Sequence, residues 1–494
     1  MRVLVTGGTG VIGSSTVTAL LRHGHTVQLL SRHAERDADA WSRDVTPIEG
    51  DITDLDALGR AAEGCDGVLH LVGIIDEAPP DATFERVNVE GTRNVVREAE
   101  RAAVRRFVYV SSLGCDRGSS PYHQSKREAE DIVAQFRGEW VIVRPGAVYG
   151  PGDEHVSVLL KMVRSLPAIP LVGDGTQPFQ PVWHEDVAEV LTLALERDDG
   201  LGGVYDIAGE EVTSQRDLLG RFERLTGRSP VLIPVPEFLA QAGLEVAEVA
   251  GIDVGFNASQ MQMLVEGNVL PPDANNALTR VFGIAATPLD EGLRLLADAQ
   301  PEQLPAQGVG PLERKRYWVD IANSRFDADH LLQHVRIHFG ELAPSMMSAS
   351  AEPGTPTRIE EGETLTLSLP LRGHVQVRVA EVDTRRFTLL TLDGHPLAGA
   401  ARIQTEQVGD LVRFEVQVYG RAATVVDLLM MRTLGDTLQN SAWRRLIENV
   451  VRASGGSAGD VRFTRESLGA SEAAVVQRWA EELVLMRKQD EAGV

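Results

Sequence analysis

The first thirteen residues constrain this chain more than any other stretch. Val3, Leu4 and Val5 form a short apolar run, Thr6-Gly7-Gly8-Thr9-Gly10-Val11-Ile12-Gly13 follows at once, and Thr16 to Leu21 has helix-forming composition. A buried strand, a glycine-rich turn and a helix start, in that order, form the place where a dinucleotide pyrophosphate sits. Glycine permits the tight turn and lets backbone N–H groups approach phosphate, and the third glycine lets helix and strand pack closely. The alternative is a glycine-rich loop that binds nothing. The strand directly before it argues against that.

Composition narrows the rest. At 494 residues the chain is too long for one compact core, so two or three domains are expected. A hydrophobic content of 43% suits a soluble globular protein. The 48 Lys and Arg against 71 Asp and Glu give a net charge of −23, which argues against nucleic-acid binding and gives no help to binding anionic lipid. Cys65 and Cys115 fit no CxxC pattern and suggest a reducing compartment. No apolar run is long enough to span a bilayer, and the N-terminus opens in a strand, so a cytoplasmic location is expected.

Strand-like runs at 2–6, 26–30, 45–49, 67–72, 106–111 and 140–143 alternate with helical patterns, notably 84–102 and 122–136. Such alternation implies a parallel sheet covered on both faces, an α/β Rossmann fold of the doubly wound type. The second strand ends in Ser31-Arg32, where an NAD site usually places Asp or Glu. A guanidinium there can hold a 2′-phosphate, so NADP is expected as cofactor, with NAD left open; a solvated arginine at a strand end is the alternative. Asp51, followed by Ile52, could accept from the adenine amino group or serve only as a turn aspartate.

Ser111-Ser112 closes the fifth strand, and Tyr122-His123-Gln124-Ser125-Lys126 follows. Pro121 can open a helix capped by Ser119 or Ser120, which sets Tyr122 and Lys126 on one helical face. An ammonium beside the phenol favours the phenolate. Bringing a phenol from about 10 to near 7 takes roughly 4 kcal/mol of differential stabilisation. Tyr122 could then exchange a proton with a substrate oxygen held by Ser112. The plainer alternative is that the serines finish the strand and Tyr122 packs.

These motifs together resemble the short-chain dehydrogenase/reductase superfamily. Further stretches are similar to its extended and atypical members: Val87-Asn88-Val89-Glu90-Gly91-Thr92, Arg144 through Gly152, Gly173-Asp174-Gly175 and Glu185-Asp186-Val187-Ala188. Asn268-Val269, Phe282-Gly283-Ile284 and Pro288 through Gly292 resemble the NmrA-like and complex I accessory-subunit-like branch. The likeness covers residues 1–298, with 152–298 as a substrate lobe. It implies Tyr122 as acid/base, Lys126 on the nicotinamide ribose, Ser112 on the substrate and Asn88 supporting a relay water. It also implies Thr6, Gly7, Gly10, Val11, Ile12, Gly13, Ser31, Arg32, Asp51, Ile52, Val72, Tyr122, Lys126 and Pro145 as cofactor contacts. His70-Leu71-Val72-Gly73 departs from the family's usual Ala- or Asn-containing segment. His155 and His184 fall near the expected cleft, and helical patterns at 185–195 and 215–225 flank a strand at 204–207. Pro234–Pro236 precedes another expected helix.

Residues 299–312 are rich in Pro, Gln and Gly and read as a linker, and Glu313-Arg314-Lys315-Arg316 as a solvated approach to the next strand. Strands are then expected at 316–321, 364–369, 375–380, 386–392, 400–406 and 411–419, with a helix at 329–339 and a long one at 423–453 carrying Leu428, Met431, Leu434, Leu438 and Trp443. Val375, Val377 and Val379 alternate with polar residues, as in a half-buried strand. This α+β pattern, over 313–455, resembles the helix-grip or START-like domains, as do Arg386-Phe387 and the stretch Gly394 through Gly399. Such domains often enclose an apolar pocket between sheet and helix that suits a lipid-like or cyclic ligand; a filled core with no ligand is the alternative. His330, His334 and His338 have helical spacing but no completing ligand, so no metal is expected. Residues 456–494 read as a helical tail. The expected activity is an NADP-dependent oxidoreductase, or an epimerase or dehydratase, acting on a small carbonyl or alcohol compound, in a chain that could form a homo-oligomer. The rival is a non-catalytic redox-sensing or assembly module.

Overall fold

The computed structural model describes residues 1–34, 41, 44–236, 268–271, 273–349, 352–354, 356–369, 373–430 and 436–492. The helix expected after Pro236 lies outside them, as do Met431 and Leu434.

Seven parallel strands form the first sheet among the described residues: β1 (Arg2–Thr6), β2 (Thr26–Ser31), β3 (Val45–Glu49), β4 (Gly67–His70), β5 (Arg106–Val110), β6 (Glu139–Pro145) and β7 (Gly203–Ile207), in the order β7-β6-β5-β4-β1-β2-β3. Val3, Leu4 and Val5 are fully buried, as a central strand covered on both faces must be. One face packs under α1 (Val11–Arg22) and α5 (His184–Glu196), the other under α2 (Thr92–Arg101) and α3 (Pro121–Val133). The sequence placed 204–207 in the substrate lobe. It instead pairs with β6 and closes the sheet, and α5 packs on that sheet too. A smaller lobe gathers α4 (Val156–Ser165), α6 (Gln215–Thr226) and α7 (Leu289–Asp298) around Leu160, Phe179, Trp183 and Phe222. The single helix expected over 84–102 is a π-helical turn, Glu85–Gly91, running into α2.

The second sheet is antiparallel: β8 (Val309–Ala322), β9 (Thr364–Leu369), β10 (Gly373–Val382), β11 (Arg386–Thr391), β12 (Leu397–Val408), β13 (Leu411–Ala422) and β14 (Arg462–Ser467). Strands β9 to β13 are joined in chain order, β8 pairs with β13, and β14 pairs with β8. Its inner face packs on α8 (Ala328–Ile337) and α9 (Asp436–Ser454) through Tyr317, Phe387, Phe414, Trp443 and Ile447. α10 (Ala470–Ala492) lies on the other face, with Ala480 and Leu483 against Ala380, Leu390 and Ala400.

The expected long helix lies partly outside the described residues, and three other expectations for this half change. The long helix is seen as Val425–Met430 and, beyond the undescribed residues, α9. The tail contributes β14 before its helix. The linker is pinned to the sheet: Arg378 donates to the Asp298 and Gln300 carbonyls, and Gln303 N–H to Thr391 O at 2.7 Å. Lys315 is buried and donates to Gln439 at 2.7 Å, because strand alternation turns it inward while Arg314 and Arg316 pair with Glu466 and Glu415.

Candidate functional site

The carboxyl ends of the parallel strands converge on one rim, the usual ligand position of an open α/β sheet. The glycine loop leaves β1 here. Gly7 has φ 77°, and a side chain on it would press on the Leu71–Val72 backbone at 2.9–3.0 Å. A Cβ on Gly13 would lie 2.0 Å from the Gly7 carbonyl. Gly10 differs: a Cβ there would meet only that carbonyl, at 3.6 Å, so nothing in the protein excludes one. Gly10 stands as N-cap of α1 with no capping side chain, and no acidic residue occupies the first turn with Val11 and Ile12. The open backbone N–H groups and the dipole suit a pyrophosphate, so the loop fits a dinucleotide.

Ser31 and exposed Arg32 follow on the neighbouring strand end; Ser31 Oγ accepts from His33 N at 3.1 Å. Asp51 is a turn aspartate here, its Oδ1 accepting from Thr53 N and Thr53 Oγ1 at 2.9 Å each. Ile52 is buried, with its carbonyl held by Asn94 at 3.0 Å. Val72 touches the Gly7 turn, and Pro145 O accepts from Leu113 N at 2.9 Å beside Ser112.

Ser120 caps α3 through His123 N, and Pro121 takes the first helical position. This brings half-buried Tyr122 to Ser112, close enough for the serine hydroxyl to pull the phenol's pKa down. Lys126, one turn on, is buried; its Nζ donates to Val110 O at 2.8 Å and sits 4.5 Å above the Tyr109 ring. The electrostatics differ from the expected lowered phenol. Burial pushes Tyr122 up to about 12, outweighing the downward pull of the Ser112 hydroxyl. Burial also brings Lys126 down to about 8. Desolvation of both groups, with the ammonium bonded to a carbonyl, outweighs their attraction.

Asn88 sits in the π-turn, a feature frequent at functional sites. Its Oδ1 accepts from Ile74 N at 2.8 Å, and its Nδ2 donates to Ile74 O and Ser125 Oγ at 3.0 Å each. His70, from the segment that departs from the family pattern, is fully buried, 2.7 Å from Thr6 Oγ1 through Nδ1 and 3.0 Å from Thr92 Oγ1 through Nε2. The Thr92 hydroxyl donates its proton to Asn88 O at 2.6 Å, so Nε2–H donates to Thr92 and Nδ1 accepts from Thr6. Burial, helped by the Lys126 charge, brings His70 down to about 3 and keeps it neutral.

Sequence reasoning missed Glu130. It stands four residues past Lys126 on the same face of α3, and that spacing could have found it. Its carboxylate takes Arg144 Nε at 2.7 Å and Nη2 at 2.5 Å, and Cys115 Sγ at 3.1 Å. Arg127 donates to the Cys115 carbonyl at 2.9 and 2.7 Å. The turn bearing Ser112 is thus clamped to the helix bearing Tyr122. His184 also joins the rim, its Nδ1 2.5 Å from Ser15 Oγ in α1. His155 packs on Phe179, ring centroids 5.3 Å apart.

His330 bonds Asp327 at 2.8 Å, and the His334 and His338 rings lie 4.5 Å apart. Among the described residues no group of three His, Cys, Asp or Glu is placed to hold a metal ion. No helix of the described residues is long and apolar enough to cross a membrane.

A doubly wound parallel sheet with this glycine loop, and a tyrosine and lysine at its rim, defines an NAD(P)-dependent enzyme of the short-chain dehydrogenase type. The chain belongs to the NAD dependent epimerase/dehydratase family, whose model matches residues 3–208. It is 31% identical over 236 residues to the ceramide reductase of Caulobacter vibrioides, covering 48% of this chain and 74% of that one. It is also 31% identical over 259 residues to the 3 beta-hydroxysteroid dehydrogenase/Delta 5-->4-isomerase of Mycobacterium tuberculosis, covering 40% and 68%. Among solved structures it is similar to Thermus thermophilus UDP-glucose 4-epimerase complexed with NAD, at 25% identity and a TM-score of 0.47, covering 60% of this chain and 97% of that one.

Proposed function

We propose that the chain is an NADP-dependent oxidoreductase that interconverts a carbonyl and an alcohol on an apolar small molecule. The placement of Ser112 beside Tyr122, with Lys126 one turn behind, carries this reading. A bound nicotinamide dinucleotide supplies or takes up the hydride equivalent. Thr6, Gly7, Gly10, Val11, Ile12 and Gly13 would hold its pyrophosphate, Ser31 and Arg32 its adenosine end, and Ile52, Val72 and Pro145 its flanks. Ser112 would hold the substrate oxygen. Tyr122, raised to about 12, is protonated at neutral pH and so stands ready as the proton donor of a reduction. Lys126 would keep positive charge beside the reacting oxygen, and Asn88 would hold the Ile74 backbone at the mouth. A ceramide and a hydroxysteroid, named in two relatives, support an apolar substrate class.

We further place the chain in the NmrA-like or complex I accessory-subunit-like branch, on its 268–292 stretches. The second half we read as a helix-grip, START-like fold able to enclose an apolar ligand, supported by α9 laid across the inner face of the curved sheet. Cys65 and Cys115, free and buried, fit a reducing, cytoplasmic setting.

The test measures NADPH and NADH binding, then NADPH oxidation over a panel of ketosteroids, ketosphingolipids and simple ketones, for the parent and Tyr122→Phe. Stoichiometric NADPH consumption that the variant loses, with binding retained, is the expected result. Product formation without net NADPH consumption points to an epimerase or dehydratase instead. Binding without turnover anywhere on the panel overturns the oxidoreductase reading.

A further inference from the structure

The smaller lobe of the first half meets the second sheet in a buried polar seam. Arg164, at the carboxyl end of α4, is buried and leaves its own lobe: Nε and Nη2 donate to the two carboxylate oxygens of Glu352 at 2.8 and 2.7 Å, and Nη1 to Gln376 Oε1 at 2.8 Å. Both acceptors are buried as well, with Gln376 on β10 and Glu352 before β9. Gln376 in turn donates to Thr366 Oγ1 on β9 at 3.2 Å, and His374 Nδ1 lies 3.3 Å from Glu352 Oε1. The fit extends to the backbone: a Cβ on Gly373 would lie 2.1 Å from the Arg164 carbonyl. Arg228 donates to Val163 O at 3.0 Å along the same edge, and Lys161 pairs with Asp393.

The other end of α4 reaches the rim of the site. Asp153 caps it, accepting from His155 N, Val156 N and Ser157 Oγ at 2.8, 2.6 and 2.6 Å. Gly150, just before that cap, packs so closely on His184 that a Cβ would lie 2.2 Å from the ring. His184 is the residue bonded to Ser15 in the cofactor helix. A continuous set of packed and hydrogen-bonded groups therefore runs from α1 through His184, Gly150 and Asp153 along α4 to Arg164, and ends on the second sheet.

We propose that Glu352 and Gln376 are positioning residues: by holding Arg164 they set α4, and with it the Gly150–His155 turn at the substrate side of the site. The second sheet thereby forms part of the enzyme's substrate apparatus. A buried guanidinium demands compensation, so its two acceptors dictate where the helix end sits. Ala297 O, the remaining acceptor at 3.3 Å, belongs to the first half and cannot supply this link. The proposal rests on the oxidoreductase reading only for the location of the substrate, and its main readout needs no turnover.

The experiment uses the full chain as parent, Glu352→Gln and Gln376→Ala. Hydrogen–deuterium exchange is followed over residues 150–165, with NADPH affinity as reference. Amide exchange there should quicken about tenfold in Glu352→Gln and about threefold in Gln376→Ala, while residues 1–30 and the NADPH Kd change less than about twofold. For the best ketone of the panel, KM should rise about fivefold and kcat stay within about twofold. Unchanged exchange over 150–165 in a folded variant overturns the proposal. So does an equal quickening over the whole first half, which marks general loosening. If Glu352→Gln does not fold, Gln376→Ala, which keeps the ion pair, decides alone. Failure of the parent to turn over any ketone sinks the oxidoreductase reading and leaves the exchange result to judge this one.

Discussion

The parallel and antiparallel halves bury polar side chains in different places and for different ends. In the first half His70, Asn88, Ser112, Lys126 and Glu130 gather at the carboxyl ends of β4, β5 and β6. The strands themselves are largely apolar on both faces, so most buried polar groups of the sheet lie where the strands end, with Gln28 in mid-β2 an exception. In the second half Gln376 and Arg378 lie in mid-strand, on the face opposite Val375, Val377 and Val379. An antiparallel sheet turns alternate residues outward, and here that outer face is covered partly by the first half and partly by α10. Polar burial gathers at the candidate site in one half and at the seam in the other.

That contrast breaks most plainly at Tyr122. Tyr122→Phe should lower kcat about 10²–10⁴-fold, with melting and NADPH affinity unmoved; a comparable loss of stability would make the residue a packing group. In the second half the large effect should be on folding. Phe414, fully buried, should cost about 3–5 kcal/mol on Phe414→Ala in a urea titration, without changing the NADPH Kd of the folded protein. The two loop glycines sharpen the contrast within the first half. Gly13→Ala should destabilise by about 1–3 kcal/mol, as its Cβ meets a carbonyl. Gly10→Ala should leave melting alone and weaken NADPH, because only the ligand claims that space. Arg32→Ala should reduce the NADPH-over-NADH preference about three- to tenfold by fluorescence titration.

The last effect is a pH dependence. Lys126, brought down to about 8, loses its proton as pH rises through that value, so turnover should decline about tenfold per unit well above it. Stability should move the other way. Between about 8 and the ordinary lysine value of 10.5 the unfolded chain binds the proton that the native state has released, so Lys126 makes stability rise with pH there. A Tm that falls through that window in the parent, but not in Lys126→Met, contradicts the buried ammonium.

Local chemistry made much of this readable. The strands of the first sheet stood out because buried parallel strands are short apolar runs, and the glycine turn because its backbone needs are local. Tyr122 and Lys126 shared a face because helical spacing puts them there. What the spacing could not show was the dielectric around them: the phenol rises because both groups are desolvated and the ammonium meets Val110 O. Glu130 lay in plain view on the same face, but its meaning depends on Arg144, which arrives on a different strand. The strand at 203–207 was legible as a strand and assigned to the wrong layer, since strand pairing is a long-range choice.

By itself, then, the sequence determined the alternation of strand and helix, the dinucleotide loop and the tyrosine–lysine pair, all of which depend on neighbours within a few residues. Tertiary structure alone decided the charge states at the rim, the neutral tautomer of His70 and the seam that seats Arg164 on Glu352. Those depend on burial and on partners as far as 188 positions and more away in the chain, and neither is a property of local order.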